Sequence, residues 1–151
     1  MQVRMFEKKD SNNVKNLVIS ILTKEYPFDQ SVYEDSDIAD IEQAYSGKRE
    51  GFFVLESEDR ILGTVGIKQE SEDVALIRRL FVDPASRRRG YGALLLDKAI
   101  LHCRDNNFKY IVFRTTGKMV QAINLLKKMN FREVEKLDLG GFQIYKFILD
   151  L

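Results

Sequence analysis

The residues best suited to chemistry lie together in LIRRLFVDPASRRRGYGALLLDKAI, residues 76–100. An apolar strand pattern runs into a basic and small loop, and Arg89-Gly90-Tyr91-Gly92 opens a long amphipathic stretch. The chemistry of such a junction is anion capture. The first turn of a helix carries unbonded N–H groups and the positive end of the macrodipole, about half an elementary charge. Gly90 and Gly92 remove the β-carbons that would hold a pyrophosphate off the backbone, and Arg87, Arg88 and Arg89 add cationic forks around it. Loop composition alone suits a solvated charge run or a nucleic-acid phosphate contact equally well. Its place at a glycine-opened helix mouth favours anion capture over both.

Two common phosphate loops do not fit. A dinucleotide fingerprint needs a third glycine where Leu95 stands, and Gly117-Lys118-Met119 lacks the hydroxyl and the preceding spacing of a Walker loop. What remains is Arg87-x-x-Gly90-x-Gly92, five residues after Val82 on a strand.

The elements that must position this loop are legible from hydrophobic period. MQVRMF reads as a short strand, and Ser11 as the cap of a helix carrying Val14, Leu17, Val18, Ile21 and Leu22. Pro27 stops that helix, and a second short helix is expected around Ile38, Ile41 and Ala44. GFFVLES, RILGTVGIKQE and DVALIRRLFV follow as three strands joined by polar turns. Residues 88–104 form a helix with Gly92, Leu96, Ala99, Ile100 and Cys103 on one face. KYIVFRT is a buried strand, and Ala122, Leu125, Leu126 and Met129 mark another helix, closed by a left-handed Asn130. A hairpin turned at Gly140-Gly141 ends the chain. The expected order is β-α-α-β-β-β-α-β-α-β-β, a mixed α/β fold with a mostly antiparallel sheet flanked by helices.

Composition bounds the rest. The 151 residues allow a single domain over 1–151, and 44% apolar residues can build its core. A net charge of +1 excludes a globally basic nucleic-acid binder, and the remaining charge is mixed around the arginines at 78, 79 and 87–89. One cysteine and one histidine exclude an intrachain disulfide, a paired-cysteine zinc motif and an HExxH helix, so no metal is expected. No apolar run reaches the roughly 20 residues of a membrane helix, and MQVRMFEKKD lacks the apolar core of a signal peptide. The expectation is a cytoplasmic protein without nucleic-acid or membrane partners. His102 and Cys103 read as ordinary residues late in an amphipathic helix, with no cation to activate the thiol.

The spaced motif, with its strand before and helix after, resembles the acetyl-CoA loop of the GNAT N-acetyltransferase superfamily. MVQAINLLKKMNF, residues 119–131, resembles the end of that family's second helix, and the likeness is strongest over 74–131. The resemblance implies acetyl-CoA as co-substrate, with its pyrophosphate on the amides of Arg87, Arg88, Arg89, Gly90, Tyr91, Gly92 and Ala93. It implies a pantetheine added like a strand beside Phe81 and Val82, and an oxyanion donor at the Leu80 backbone N–H. An amine of a small molecule or amino acid would attack the thioester directly in a ternary complex. In the family this needs a proton acceptor, and the positions that often supply Glu and Tyr carry Leu76 and Leu126 here. Glu70, Glu72, Asp73 and Tyr145 stand as substitutes, although their types and places fit turn and amphipathic strand residues better. Tyr91 is expected to pack beside the loop. The implied acceptor pocket draws on Tyr26, Phe28, Asp29, Tyr33 and Tyr145, aromatics with a carboxylate that suit a cationic amine. With Leu76 and Leu126 at the positions of the family's proton carriers, a second reading stays open, a CoA-binding regulatory module with little turnover. The apolar last strand could pair across a homodimer or lie inside the sheet.

Overall fold

The computed structural model describes residues 1–26 and 36–151. Its frame is a seven-stranded sheet in the order β1-β2-β3-β4-β5-β7-β6. The strands are β1 (Gln2–Met5), β2 (Gly51–Ser57), β3 (Arg60–Gln69), β4 (Val74–Val82), β5 (Tyr110–Thr116), β6 (Arg132–Leu139) and β7 (Phe142–Asp150). Only the β4–β5 pair is parallel. Its crossover is α4 (Tyr91–Asp105), and α5 (Val120–Lys128) follows β5. The opposite face is covered by α1 (Ser11–Glu25) and the single-turn helices α2 (Ser36–Ala39) and α3 (Ile41–Ala44).

The central strands are buried on both faces. In β2, Phe53 and Leu55 pack towards α4, whereas Phe52 and Val54 pack with Val14, Val18 and Ile41 on the other side. This is why GFFVLES reads as an unbroken apolar run instead of an alternating one. The larger core joins Ala75 and Ile77 of β4 to Leu95, Leu96, Ala99 and Cys103 of α4 and to Phe147 of β7.

Several boundaries differ from expectation, each for a local reason. Ser11 is the first residue of α1, and Asp10 stands at the N-cap position after a 3-10 turn over Lys8–Asp10, its carboxylate turned away from the helix N–H groups. Asp10 accepts from the Glu7 N–H at 2.9 Å and is gripped by the Arg4 guanidinium, whose hydrogen bond holds the carboxyl below its ordinary pKa. The second helix is two separate turns, because Asp40 leaves the helical region to cap α3 through the Gln43 N–H. Helix α4 starts at Tyr91 and not at 88, since Arg88 and Gly90 are both left-handed. Gly140-Gly141 turns the final hairpin, and Asn130 is left-handed after α5, both as expected. β7 is hydrogen-bonded to β5 on one side and β6 on the other, so the last strand is interior and offers no free edge to a second copy.

Two irregularities in β4 shape everything that follows. The β4–β5 ladder covers only Val74–Leu76 against Tyr110–Val112, so the strands part beyond Leu76. On the other edge the register steps from Gly66↔Arg78 to Thr64↔Phe81, which sets Arg79 and Leu80 together opposite Val65. This bulge inverts the parity of the strand. Ala75 and Ile77 face the α4 core before it, and Leu80 and Val82 face that core after it.

Candidate functional site

The bulge is held by a buried polar network. Arg79 has φ +56°, a conformation costing about 1–2 kcal/mol for a residue with a β-carbon. The Thr64 hydroxyl donates to its carbonyl at 2.7 Å. Its guanidinium donates to both Asp37 oxygens, at 3.0 and 2.6 Å, and the Tyr45 hydroxyl donates to the same carboxylate at 2.6 Å. Burial by itself would raise the Asp37 carboxyl. The Arg79 fork, the Tyr45 hydroxyl and the charge of nearby Arg78 outweigh it, so the carboxyl lies below its ordinary range. Tyr45 is driven the other way, first by burial and then by the Asp37 charge. Arg79 is therefore a buried structural cation and not a surface charge.

The loop after β4 ends in the helix mouth. Asp83-Pro84 closes the strand with a 3-10 turn. Arg87 then folds back: its Nε donates to the Val82 carbonyl at 3.1 Å, and its two terminal nitrogens meet Glu25 at 2.6 and 2.9 Å. The expected cationic fork of Arg87 is thus engaged in tying the end of α1 to the loop. Arg88 and Arg89 are exposed, and only Arg88 borders the groove described next. The first α4 hydrogen bond runs from the Leu94 N–H to the Gly90 carbonyl, so the N–H groups of Tyr91, Gly92 and Ala93 precede the helical ladder. Gly90 has φ +80°, and a β-carbon there would meet nothing within 4 Å. Gly92 serves a different purpose. A β-carbon on it would lie 3.2 Å from Leu125 Cδ2, so its absence lets α5 approach α4.

Two cavities flank the bulge. A groove of about 450 Å³ runs from the Gly90–Ala93 mouth along Val82, Phe81 and Leu80 to Met119, with Leu125 and Lys128 of α5 on its far wall. A chamber of about 250 Å³ fills the parting between β4 and β5, lined by Leu76, Arg78, Phe113, Thr116 and Ile144. Leu80, Phe81 and Met119 border both. Lys128, missed by the sequence reading, borders the groove as a further cation besides Arg87 and Arg88. Its only sequence signal was its place one turn beyond Leu125.

Several expected site residues lie apart. Tyr26 ends α1 and borders the groove, not the chamber. Tyr145 shares the parity of Phe147, packs against the α4-side core, and directs its hydroxyl to Gln143 Oε1 at 3.1 Å. It borders a separate hollow beside Gly117 and Lys118, so period two places it away from the chamber. Phe28, Asp29 and Tyr33 lie outside the described residues. Glu70 pairs with Arg114 at 2.8 Å, while Glu72 and Asp73 face Arg49 and Lys109 across 3.9 and 3.8 Å. All three acids precede β4, so Glu72 is separated from Leu80 by roughly 25 Å of extended strand. Leu126 is fully buried in the core. Burial pushes the Cys103 thiol up to about 12, which keeps it protonated and inert. Among the described residues no cluster could hold a metal ion, and no helix is long and apolar enough to cross a membrane.

A glycine-opened helix directly after an apolar strand is what the resemblance implied, and the structure adds a parted parallel pair with a bulge at the parting. The family model described as "Acetyltransferase (GNAT) family" matches residues 16–131. This chain belongs to the GNAT acetyltransferase family. Among curated relatives, N-acetylaspartate synthetase of Xenopus tropicalis is 32% identical over 102 residues, 66% of this chain and 37% of that protein. N-acetyltransferase 8B of Rattus norvegicus is 30% identical over 104 residues, 65% of this chain and 47% of that protein. The chain thus matches less than half the length of either. Solved acetyltransferase structures share the fold over nearly the whole chain. An N-acetyltransferase from Staphylococcus aureus Mu50 superposes with a TM-score of 0.85 at 17% identity, covering 99% of this chain and 97% of that one. YncA from Salmonella typhimurium, solved with its cofactor acetyl-CoA, gives 0.78 at 16% identity, covering 99% and 92%.

Proposed function

We propose that this chain transfers an acetyl group from acetyl-CoA to a primary amine of a small molecule or amino acid, by direct attack in a ternary complex. The observation that carries this reading is that groove and chamber are separate along their length and meet at Leu80, Phe81 and Met119. A donor substrate and an acceptor can then enter from two sides and touch at one point.

The groove suits the donor. The N–H groups of Tyr91, Gly92 and Ala93, with open space at Gly90, fit a diphosphate, and Arg88 and Lys128 supply charge at the rim. Phe81 and Val82 offer strand edge to the amide-bearing arm. In the bulge, Leu80 stands where its N–H would meet the charge that develops on the acetyl oxygen, a large catalytic contribution that needs no special side chain.

The amine lone pair forms the new C–N bond to the acetyl carbon as the C–S bond breaks. The amine gives up one proton, and CoA leaves as the thiol. Among the described residues, neither cavity is lined by a carboxylate or imidazole that could act as a family-type base. The chamber provides another route. Arg78, Arg79 and Arg114 border it, and nearby cations with apolar walls disfavour an ammonium, which lowers the pKa of a bound amine.

The pH profile tests this. With a series of amines and thiol release as the readout, kcat/KM rises tenfold per pH unit up to the ionisation of each free amine, about 10 for an alkylamine. The break moves with the amine chosen, and the kcat profile breaks at lower pH. A fixed break near neutrality, independent of the amine, would instead demand a protein base. The buried Leu126 favours the second reading, a CoA-binding module with little turnover. Acetyl-CoA binding without thiol release for every amine tried would select it.

A further inference from the structure

We infer that Arg78 is a specificity-determining residue for an acceptor that carries a free carboxylate, and that the acceptor class is α-amino acids with apolar side chains. This rests on the acetyl-transfer reading above and names its second substrate.

Arg78 is half-buried and borders the chamber. Among the described residues it makes no hydrogen bond or ion pair, unlike the cations around it. Arg79 is occupied by Asp37, Arg114 by Glu70, and Lys68 by the Ala44 carbonyl and Glu50. Among the described residues, Asp37 is paired with Arg79 and Glu50 with Lys68, and neither carboxylate is left for Arg78. Its charge is already felt at Asp37 and Tyr45, which places it beside the buried network and not out in solvent.

The bulge explains why it is there. Strand alternation turns Arg78 to the α2 side, and the extra residue keeps Arg79 on that side as well. One guanidinium locks the bulge, and the other remains for a ligand. A planar fork held near a low-dielectric wall is suited to bidentate capture of a carboxylate. The neighbouring surface is Leu76, Phe113, Met119 and Ile144, which suits an apolar side chain. At about 250 Å³ the chamber falls below the usual 300–1,000 Å³ of ligand pockets, which favours a small molecule over a folded partner. A carboxylate on Arg78 also offsets the cationic field that the ammonium meets on entry.

The experiment compares matched pairs, L-leucine, L-methionine and L-phenylalanine against their carboxamides, with acetyl-CoA and thiol release as the readout. The wild-type protein is expected to prefer each acid in kcat/KM, after correction for the fraction of free amine. In Arg78→Gln that preference falls roughly 10- to 100-fold, carried by KM. Arg78→Lys, which keeps the charge and loses the fork, falls between them. Thermal melting reports that both variants are folded, since Arg78 holds no structural partner. Carboxamides used as well as acids by the wild type, or an acid preference unchanged in Arg78→Gln, would overturn the inference and leave acetyl transfer standing. Thiol release with no amine at all would remove both together.

Discussion

Replacing Gly90 by aspartate is expected to weaken acetyl-CoA binding at least 100-fold while the protein stays folded. The backbone at Gly90 is left-handed, a region in which Asp is among the more tolerated residues, so the strain is about 1 kcal/mol. No atom lies within 4 Å of the new β-carbon, so the free protein has room for it. The effect is therefore on the ligand. A carboxylate about 4 Å from a phosphate repels it by about 4 kcal/mol at an effective dielectric of 20, and screening reduces this to the 100-fold stated. Calorimetry with CoA checks it, with Gly90→Ala as the variant that adds only strain. Unchanged affinity in Gly90→Asp would move the diphosphate away from this helix mouth. Arg88→Ala is expected to cost less, within about tenfold, and its effect should fade with added salt because the side chain is exposed.

The second large effect falls on stability. Asp37→Asn or Arg79→Met leaves one half of a buried ion pair without its partner, a change worth about 3–5 kcal/mol. For a domain of this size that lowers Tm by roughly 6–20 °C. Both side chains are almost wholly buried, so little of the pair is screened by water. The double variant Asp37→Leu/Arg79→Met is expected to recover part of the loss, since no charge is then left unpaired. Acid acts in the same direction. The Asp37 carboxyl titrates lower in the folded chain than in the unfolded one. Its contribution is complete above the ordinary carboxylate pKa and is lost as pH falls through the depressed folded value. Asp10, held by Arg4, adds to this acid lability. Melting temperatures from pH 7 down to pH 3 should fall less in Asp37→Asn than in the wild type. Equal slopes would show that the pair does not contribute. Loss of Asp37 also frees the Arg79 bulge, so kcat should drop more than KM rises.

Much of this was readable from residue order. Hydrophobic period two and period 3.6 are local properties, and they placed the strands and the main helices within a few residues. The glycine-opened helix mouth was also legible, because φ above zero at Gly90 and the free N–H groups after it depend on the chain within one turn. Leu76 and Leu126 declared the missing proton carriers for the same reason: one position suffices to read each. The acceptor residues were less accessible. Tyr145 carries the right chemistry but the wrong parity, and parity is fixed by β7 lying between β5 and β6. Gly92 looked like a phosphate glycine until Leu125 of α5 was seen against it.

What only the tertiary structure decided is which arginines are free. Residue type and spacing grouped Arg78, Arg79, Arg87, Arg88 and Arg89 as one basic set. Folding divides them through partners distant in sequence: Asp37 takes Arg79 and Glu25 takes Arg87. A charge acquires its function from what neutralises it, and that pairing is a long-range contact that no local pattern contains. The chain by itself specified a helix mouth for an anion and leucines, at 76 and 126, where the family often has its Glu and Tyr. The fold decided that β4 bulges and parts from β5 at the same place, and so that Arg78 borders the chamber with no ion pair among the described residues.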